Sequence, residues 1–175
     1  MKRLVLATVV AMGLAGASHA AVVDKGAYGF RIKTIQQVAA PPEKVWKAIG
    51  EWGHWWSDEH TYSGKASNIT LALQANGCLC ETLAGGGSVR HGVTELVIPN
   101  KMLRLDAAFG PLQDEGVSAA YTLSLKPKDG GTEVTMTYNV GGARDFITSA
   151  APMIEGVLDE GLARLKAYAE TGKPK

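Results

Sequence analysis

Residues 147–174 read ITSAAPMIEGVLDEGLARLKAYAETGKP. Ile147, Ala151, Ile154, Leu158, Leu162 and Leu165 recur every three or four residues, while Glu155, Asp159, Glu160, Arg164 and Lys166 lie elsewhere. This spacing predicts one long amphipathic helix of about 25 residues. Gly172 and Pro174 end it, since glycine suits the left-handed cap of a helix and proline cannot continue the hydrogen-bond ladder. Such a helix must cover a large apolar surface.

The segments before it supply that surface as strands. FRIKTIQQVAA (30–40), ITLALQ (69–74), CLCETL (78–83), SVRHGVTELVI (88–98), KMLRLDAAF (101–109), YTLSLKP (121–127) and TEVTMTYNV (132–140) predict seven antiparallel strands. They are separated by turns at Asn76-Gly77, 84–87, Pro99-Asn100 and 128–131, and by a polar loop at 110–116. After the first strand, PPEKVWKAIGEWGHWW (41–56) opens on prolines tolerated in a first helical turn. Val45, Trp46 and Ile49 fall at helical spacing, and Gly50 and Gly53 divide the segment into two short helices. The order specifies an α+β layer fold in which a seven-stranded antiparallel sheet surrounds a long C-terminal helix. A sheet wrapped around one helix can leave a cavity between them.

The chain has 175 residues, and its first twenty, MKRLVLATVVAMGLAGASHA, carry two cations, a short apolar run and small residues before a cut. That pattern predicts a secretory signal peptide (1–20) and a periplasmic mature domain (21–175) without stable membrane insertion. Removing it leaves 16 basic and 17 acidic side chains, a formal charge of −1, so nothing attracts nucleic acid.

The only two cysteines, Cys78 and Cys80, flank Leu79. Alternate residues of an extended strand lie about 6.6 Å apart and a disulfide wants Cβ atoms about 3.8 Å apart, so a bridge would need a bulge or tight turn. The thiols are expected to be small packing residues. With His91 and a carboxylate they form a possible soft-metal set, but this is not the spacing of a closed zinc site, and neither metal nor cofactor is expected.

Pairing Leu83 with Ser88 sets Glu81 opposite Arg90 and Cys80 opposite His91. Leu79, Glu81, Leu83, Arg90, Leu96, Leu103, Leu105, Ala107 and Phe109 then share the concave face, with the cysteines and His91 on the outer one. A one-residue slip would set Cys80 beside Arg90, and a bulge in either strand would reverse the facing.

The arrangement resembles the START-like superfamily, also called SRPBCC or Bet v 1-like, whose members form a helix-grip fold. The resemblance runs from Ile32 to Thr171 and is carried by APPEKVWKAIGEW from Ala40, GGSVRHG (86–92), KMLRLDAAFGPLQDEGV (101–117) and ARLKAYAETGKP from Ala163. These pieces are similar to bacterial proteins grouped with polyketide cyclases or with the activator of the Hsp90 ATPase. No catalytic signature of the family maps onto this chain residue by residue.

The expected function is binding of a small hydrophobic or amphipathic molecule between sheet and terminal helix. The expected lining is Trp46, Trp55, Trp56, Glu81, Arg90, Leu103, Phe109, Tyr121, Tyr138, Ile154 and Leu158, with Glu81 and Arg90 its main polar feature. His54 and His60 are expected in a solvated loop. Two alternatives stand beside this: a cyclase-like enzyme using Glu81, Arg90, His91 or a tyrosine to move a proton, and a pocketless interaction domain. Nucleophile elbows, phosphate-binding glycine loops and HExxH are missing.

Overall fold

A computed structural model of the protein describes residues 21–174. The signal-peptide expectation for residues 1–20 lies outside the described residues. Eight strands form one antiparallel sheet: β1 (Ala21–Gly26), β2 (Gly29–Val38), β3 (Ile69–Leu71), β4 (Cys78–Thr82), β5 (Ser88–Ile98), β6 (Met102–Asp106), β7 (Ser118–Lys128) and β8 (Gly131–Gly141). Their order across the sheet is β1-β2-β8-β7-β6-β5-β4-β3. The expected count of seven is corrected by β1, whose sequence AVVDKG lacks alternation and is mostly exposed. It is a strand because it pairs with β2, with a bulge between Val22 and Asp24.

Three helices complete the fold: α1 (Pro42–Gly50), α2 (Asp145–Ser149) and α3 (Ala151–Thr171). Pro42 opens α1 and buries Val45, Ala48 and Ile49, while the expected second helix is a run of short 3-10 turns at Trp52–His54 and Asp58–His60. The expected terminal helix is split in two, with Pro152 in the first turn of α3. Gly172 ends α3 at φ 78°, its N–H bonded to Tyr168 O at 2.8 Å.

The helical stripe packs as its spacing predicts. Ala151, Leu158, Leu162 and Leu165 are buried with Leu103, Leu105, Leu123, Met136 and Tyr138 from the sheet. The hairpin between β7 and β8 closes with Lys128 opposite Gly131, through Asp129 and Gly130 at positive φ. No described helix is long and apolar enough to cross a membrane.

Two bulges in β5 correct the expected register. Cys78 pairs with Val93 and Leu79 with Gly92, but Cys80 then pairs with Arg90, Glu81 with Val89 and Thr82 with Ser88. His91 is the residue left over. A second shift between Thr94 and Leu96 undoes the expected pairing of Glu95 with Arg104, which faces Leu96 instead. Each bulge inserts one residue into β5 and changes which side chains turn inward beyond it.

The cysteine expectation is corrected at the same place. Cys78 and Cys80 form a disulfide with Cα atoms 5.3 Å apart, well short of the spacing of a regular strand. The bridge lies on β4 where its register with β5 shifts, between Leu79 and Cys80, opposite the bulge residue His91.

Candidate functional site

A cavity of about 520 Å³ opens between the concave face of the sheet and the N-terminal half of α3. Ile69, Leu79 and His91 contribute from β3, β4 and β5, and Met153, Ile154, Val157 and Leu158 from the helix. Trp52 and Trp56, the segment 59–62 and Phe109 to Pro111 close the remaining sides. Tyr62 and Met153 stand at the mouth, 56% and 68% exposed.

The aromatic wall is held by backbone acceptors and by one missing side chain. Trp56 donates Nε1–H to His60 O at 3.0 Å. Its ring lies on α3 where Gly161 leaves room, since a Cβ there would stand 2.3 Å from Trp56 Cζ3. Arg164 of α3 donates Nε–H to Trp55 O at 2.8 Å, tying the tryptophan segment to the helix. Trp52 packs 5.5 Å from Trp56 and 5.9 Å from Tyr121 between ring centroids.

At the sheet wall the bulge turns His91 inward, where it meets Glu81. His91 Nε2 lies 2.8 Å from Glu81 Oε2, and the two side chains are 9% and 0% exposed. Oε2 also accepts the Tyr62 N–H at 3.1 Å, and Oε1 accepts the Ser63 N–H. Burial pushes the Glu81 carboxyl up, but hydrogen bonds from Ser63, the Tyr62 amide and His91 outweigh it and hold it below the ordinary value of 4.5. An ionised carboxylate only accepts, so Nε2–H of His91 is the donor of the pair, and Nδ1 has no hydrogen-bond partner among the described residues.

A second such pair lies at the rim. His60 Nε2 is 3.0 Å from Glu160 Oε2 of α3. Burial raises the Glu160 carboxyl, and hydrogen bonds from Ser57 and His60 with the charges of His60 and Arg164 bring it below its ordinary value. The expectation of a solvated His60 is thereby corrected, while His54 packs against Tyr168 at 5.9 Å.

The sequence matches the family described as polyketide cyclase / dehydrase and lipid transport over residues 30–170. The chain belongs to that family. Solved structures of the same fold include a conserved protein of unknown function, EF2215 from Enterococcus faecalis, at 15% identity and TM-score 0.60, covering 86% of this chain and 77% of that one. The Aha1 dimer from Colwellia psychrerythraea is 21% identical, with TM-score 0.58 and coverages of 82% and 98%. CalU16 from Micromonospora echinospora is 17% identical, with TM-score 0.54 and 87% of each chain covered. At these identities the likeness is one of fold. No curated protein matches the sequence.

Four of the expected lining residues face the cavity: Trp56, Phe109, Ile154 and Leu158. Glu81 lies behind the wall, reaching the cavity through His91. Arg90 is exposed on the outer face across from Cys80, so the expected Glu81–Arg90 pair is corrected to Glu81–His91. Trp46 packs half-buried on α1, and Trp55 is core, donating Nε1–H to Ala48 O at 2.8 Å. Leu103 is fully buried in the core.

Tyr121 and Tyr138 form the layer beneath the cavity. The Tyr138 hydroxyl donates to Ala107 O at 2.9 Å and accepts the Phe109 N–H at 3.2 Å, which positions Phe109 over it. Burial raises both phenols above their ordinary value. Sequence reasoning missed Trp52, His60, Tyr62, Ile69, Met153 and Val157 as cavity residues, set Leu79 on the concave face without naming it in the lining, and named His91 only in the enzyme alternative. The tryptophan cluster was signal for Trp52, and the inward set of β4 for Leu79. Nothing periodic marks a bulge residue such as His91 or a 3-10 turn residue such as His60. Among the described residues no group of three or more His, Cys, Asp or Glu could hold a metal.

Proposed function

We propose that the protein binds a small hydrophobic or amphipathic molecule in the cavity between the sheet and α3. The observation that carries this is a space of about 520 Å³ walled by Trp52, Trp56, Leu79, Phe109 and Leu158, with few polar groups. Pockets for small ligands begin near about 300 Å³ and share this mostly apolar lining. Affinity comes from apolar area removed from water, about 25 cal/mol per Å². The family description, which names lipid transport, supports the same reading.

The test is titration with a neutral naphthyl fluorophore, followed by calorimetry. Saturable binding at one site is expected, and Val157→Trp, which fills the cavity from α3, abolishes it. Absence of saturable binding, or equal binding by the filled variant, overturns the proposal.

The proposal includes export: residues 1–20 act as a signal peptide and residues 21–175 work in the periplasm as one START-like domain. The Cys78–Cys80 disulfide supports this, because disulfides persist in oxidising compartments. Cell fractionation that finds the uncut chain in the cytoplasm overturns it.

A second reading, a cyclase-like enzyme, is favoured by the Glu81–His91 pair, since a histidine oriented by a carboxylate can accept a proton from a bound substrate. Turnover of a β-polyketone analogue that disappears in His91→Gln would support it.

A further inference from the structure

We propose that the cavity selects ligands carrying a hydroxyl group, above all hydroxylated aromatic molecules, and that this hydroxyl donates its hydrogen bond to His91 Nδ1. The inference rests on the reading of the cavity as a small-molecule site and names the chemical class it takes.

His91 lines the cavity, and its Nε2–H is committed to Glu81. Glu81 is itself fixed by the Tyr62 and Ser63 amides, so the imidazole cannot turn without losing a buried charge-assisted bond. No hydrogen-bond partner for Nδ1 is found among the described residues. A neutral imidazole held this way presents one acceptor and no donor to the cavity. A ligand therefore has to bring the proton.

The charges around the cavity exclude the main competitor, a carboxylate ligand. None of the lining residues is a lysine or arginine. The carboxylates present are Glu81 behind His91 on β4, Glu59 at the rim, and Glu160 of α3 bound to His60. Glu160 is offset by His60 and Arg164, but Glu59 and Glu81 would meet an anionic ligand with no lysine or arginine in the cavity lining, and like charges repel in an apolar site. A neutral hydroxyl meets no such cost.

The rest of the lining fits an aromatic body. Trp52, Trp56 and Phe109 offer ring faces and edges, and Tyr62 packs 5.9 Å from His91 at the mouth. Ile69, Leu79 and Leu158 add apolar side chains to the same lining. The polar lining residues Glu59, His60, Thr61 and Tyr62 all come from one segment, so a hydroxyl bonded to His91 on the sheet wall would orient the ligand across the cavity.

The test compares naphthol, naphthalene and naphthoate by calorimetry on the wild-type protein at mildly alkaline pH. Naphthol is expected to bind about tenfold more tightly than naphthalene, the worth of one buried hydrogen bond, and naphthoate most weakly. In His91→Phe, checked for folding by near-ultraviolet circular dichroism, the ratio of naphthol to naphthalene affinity should fall to about one. Equal binding of naphthol and naphthalene by the wild type overturns the inference while leaving the cavity reading intact, and needs no variant. A naphthol advantage that survives in His91→Phe also overturns it. Failure of all three to bind overturns the cavity reading itself.

Discussion

Glu81 and His91 share a hydrogen bond of 2.8 Å although they are not cross-strand neighbours: the backbone partner of Glu81 is Val89, two residues away. The bulge in β5 rotates His91 to the concave side, where the carboxylate already sits with two backbone amides.

Replacing Glu81 by Gln should lower stability by about 1–3 kcal/mol, because charge-assisted bonds from Tyr62, Ser63 and His91 are weakened inside the protein. The folded carboxyl sits below 4.5, so its contribution is complete above the unfolded value and is lost as pH falls through the folded one. Urea titrations should show the wild-type advantage intact at neutral pH and shrinking below about pH 4.5. An advantage that grows on acidification would contradict this assignment.

Arg90→Ala should change stability by less than about 0.5 kcal/mol, since the side chain is exposed and makes no ion pair among the described residues. Thermal unfolding checks this. A large loss would restore the in-register pairing of Arg90 with Glu81.

Reducing the Cys78–Cys80 disulfide, or replacing both cysteines by serine, should cost about 1.5 kcal/mol from the chain-entropy argument for a very short loop. It should also weaken ligand binding, because the bridge spans the shift that sends His91 inward. Thiol titration of the unfolded protein should find free thiols only after reduction. Unchanged affinity in the reduced protein would separate the bridge from the site.

Two glycines of α3 should respond to alanine with opposite signs. At Gly156 a Cβ meets nothing within 4 Å, so Gly156→Ala should stabilise by about 0.5–1 kcal/mol through helix propensity. At Gly161 the same methyl collides with Trp56 at 2.3 Å, so Gly161→Ala should destabilise and shift tryptophan emission to the red. Melting curves and fluorescence on the matched pair decide it.

The fold was legible in the sequence because its signals are local. The α3 stripe, the prolines of α1 and the Asp129-Gly130 turn each act through a few neighbouring residues, and Leu79 and Glu81 turn inward together because β4 itself has period two. β1 was not legible, since an exposed edge strand has no apolar face and owes its structure to β2.

The candidate site was legible in part. Ile154 and Leu158 reach the cavity from the regular stripe of α3, whereas Trp56 and Phe109 reach it from irregular segments and were marked by the tryptophan cluster and by the extension of the β6 pattern. Arg90 and His91 exchanged roles because one inserted residue changes which side chains face in, and nothing within SVRHG announces it.

By itself, then, the sequence determined through short-range periodicity an α+β layer fold with a long terminal helix and the inward side of β4, and its likeness to known sequences added the helix-grip fold and the family. Tertiary structure alone decided that Cys78 and Cys80 are bridged, that β5 bulges at His91, and that Glu81 finds an imidazole rather than a guanidinium. The physical reason is that a bulge depends on the partner strand: His91 of β5 turns in onto the buried carboxylate of Glu81 on β4, beside the disulfide within β4, and the pattern of β5 alone carries neither.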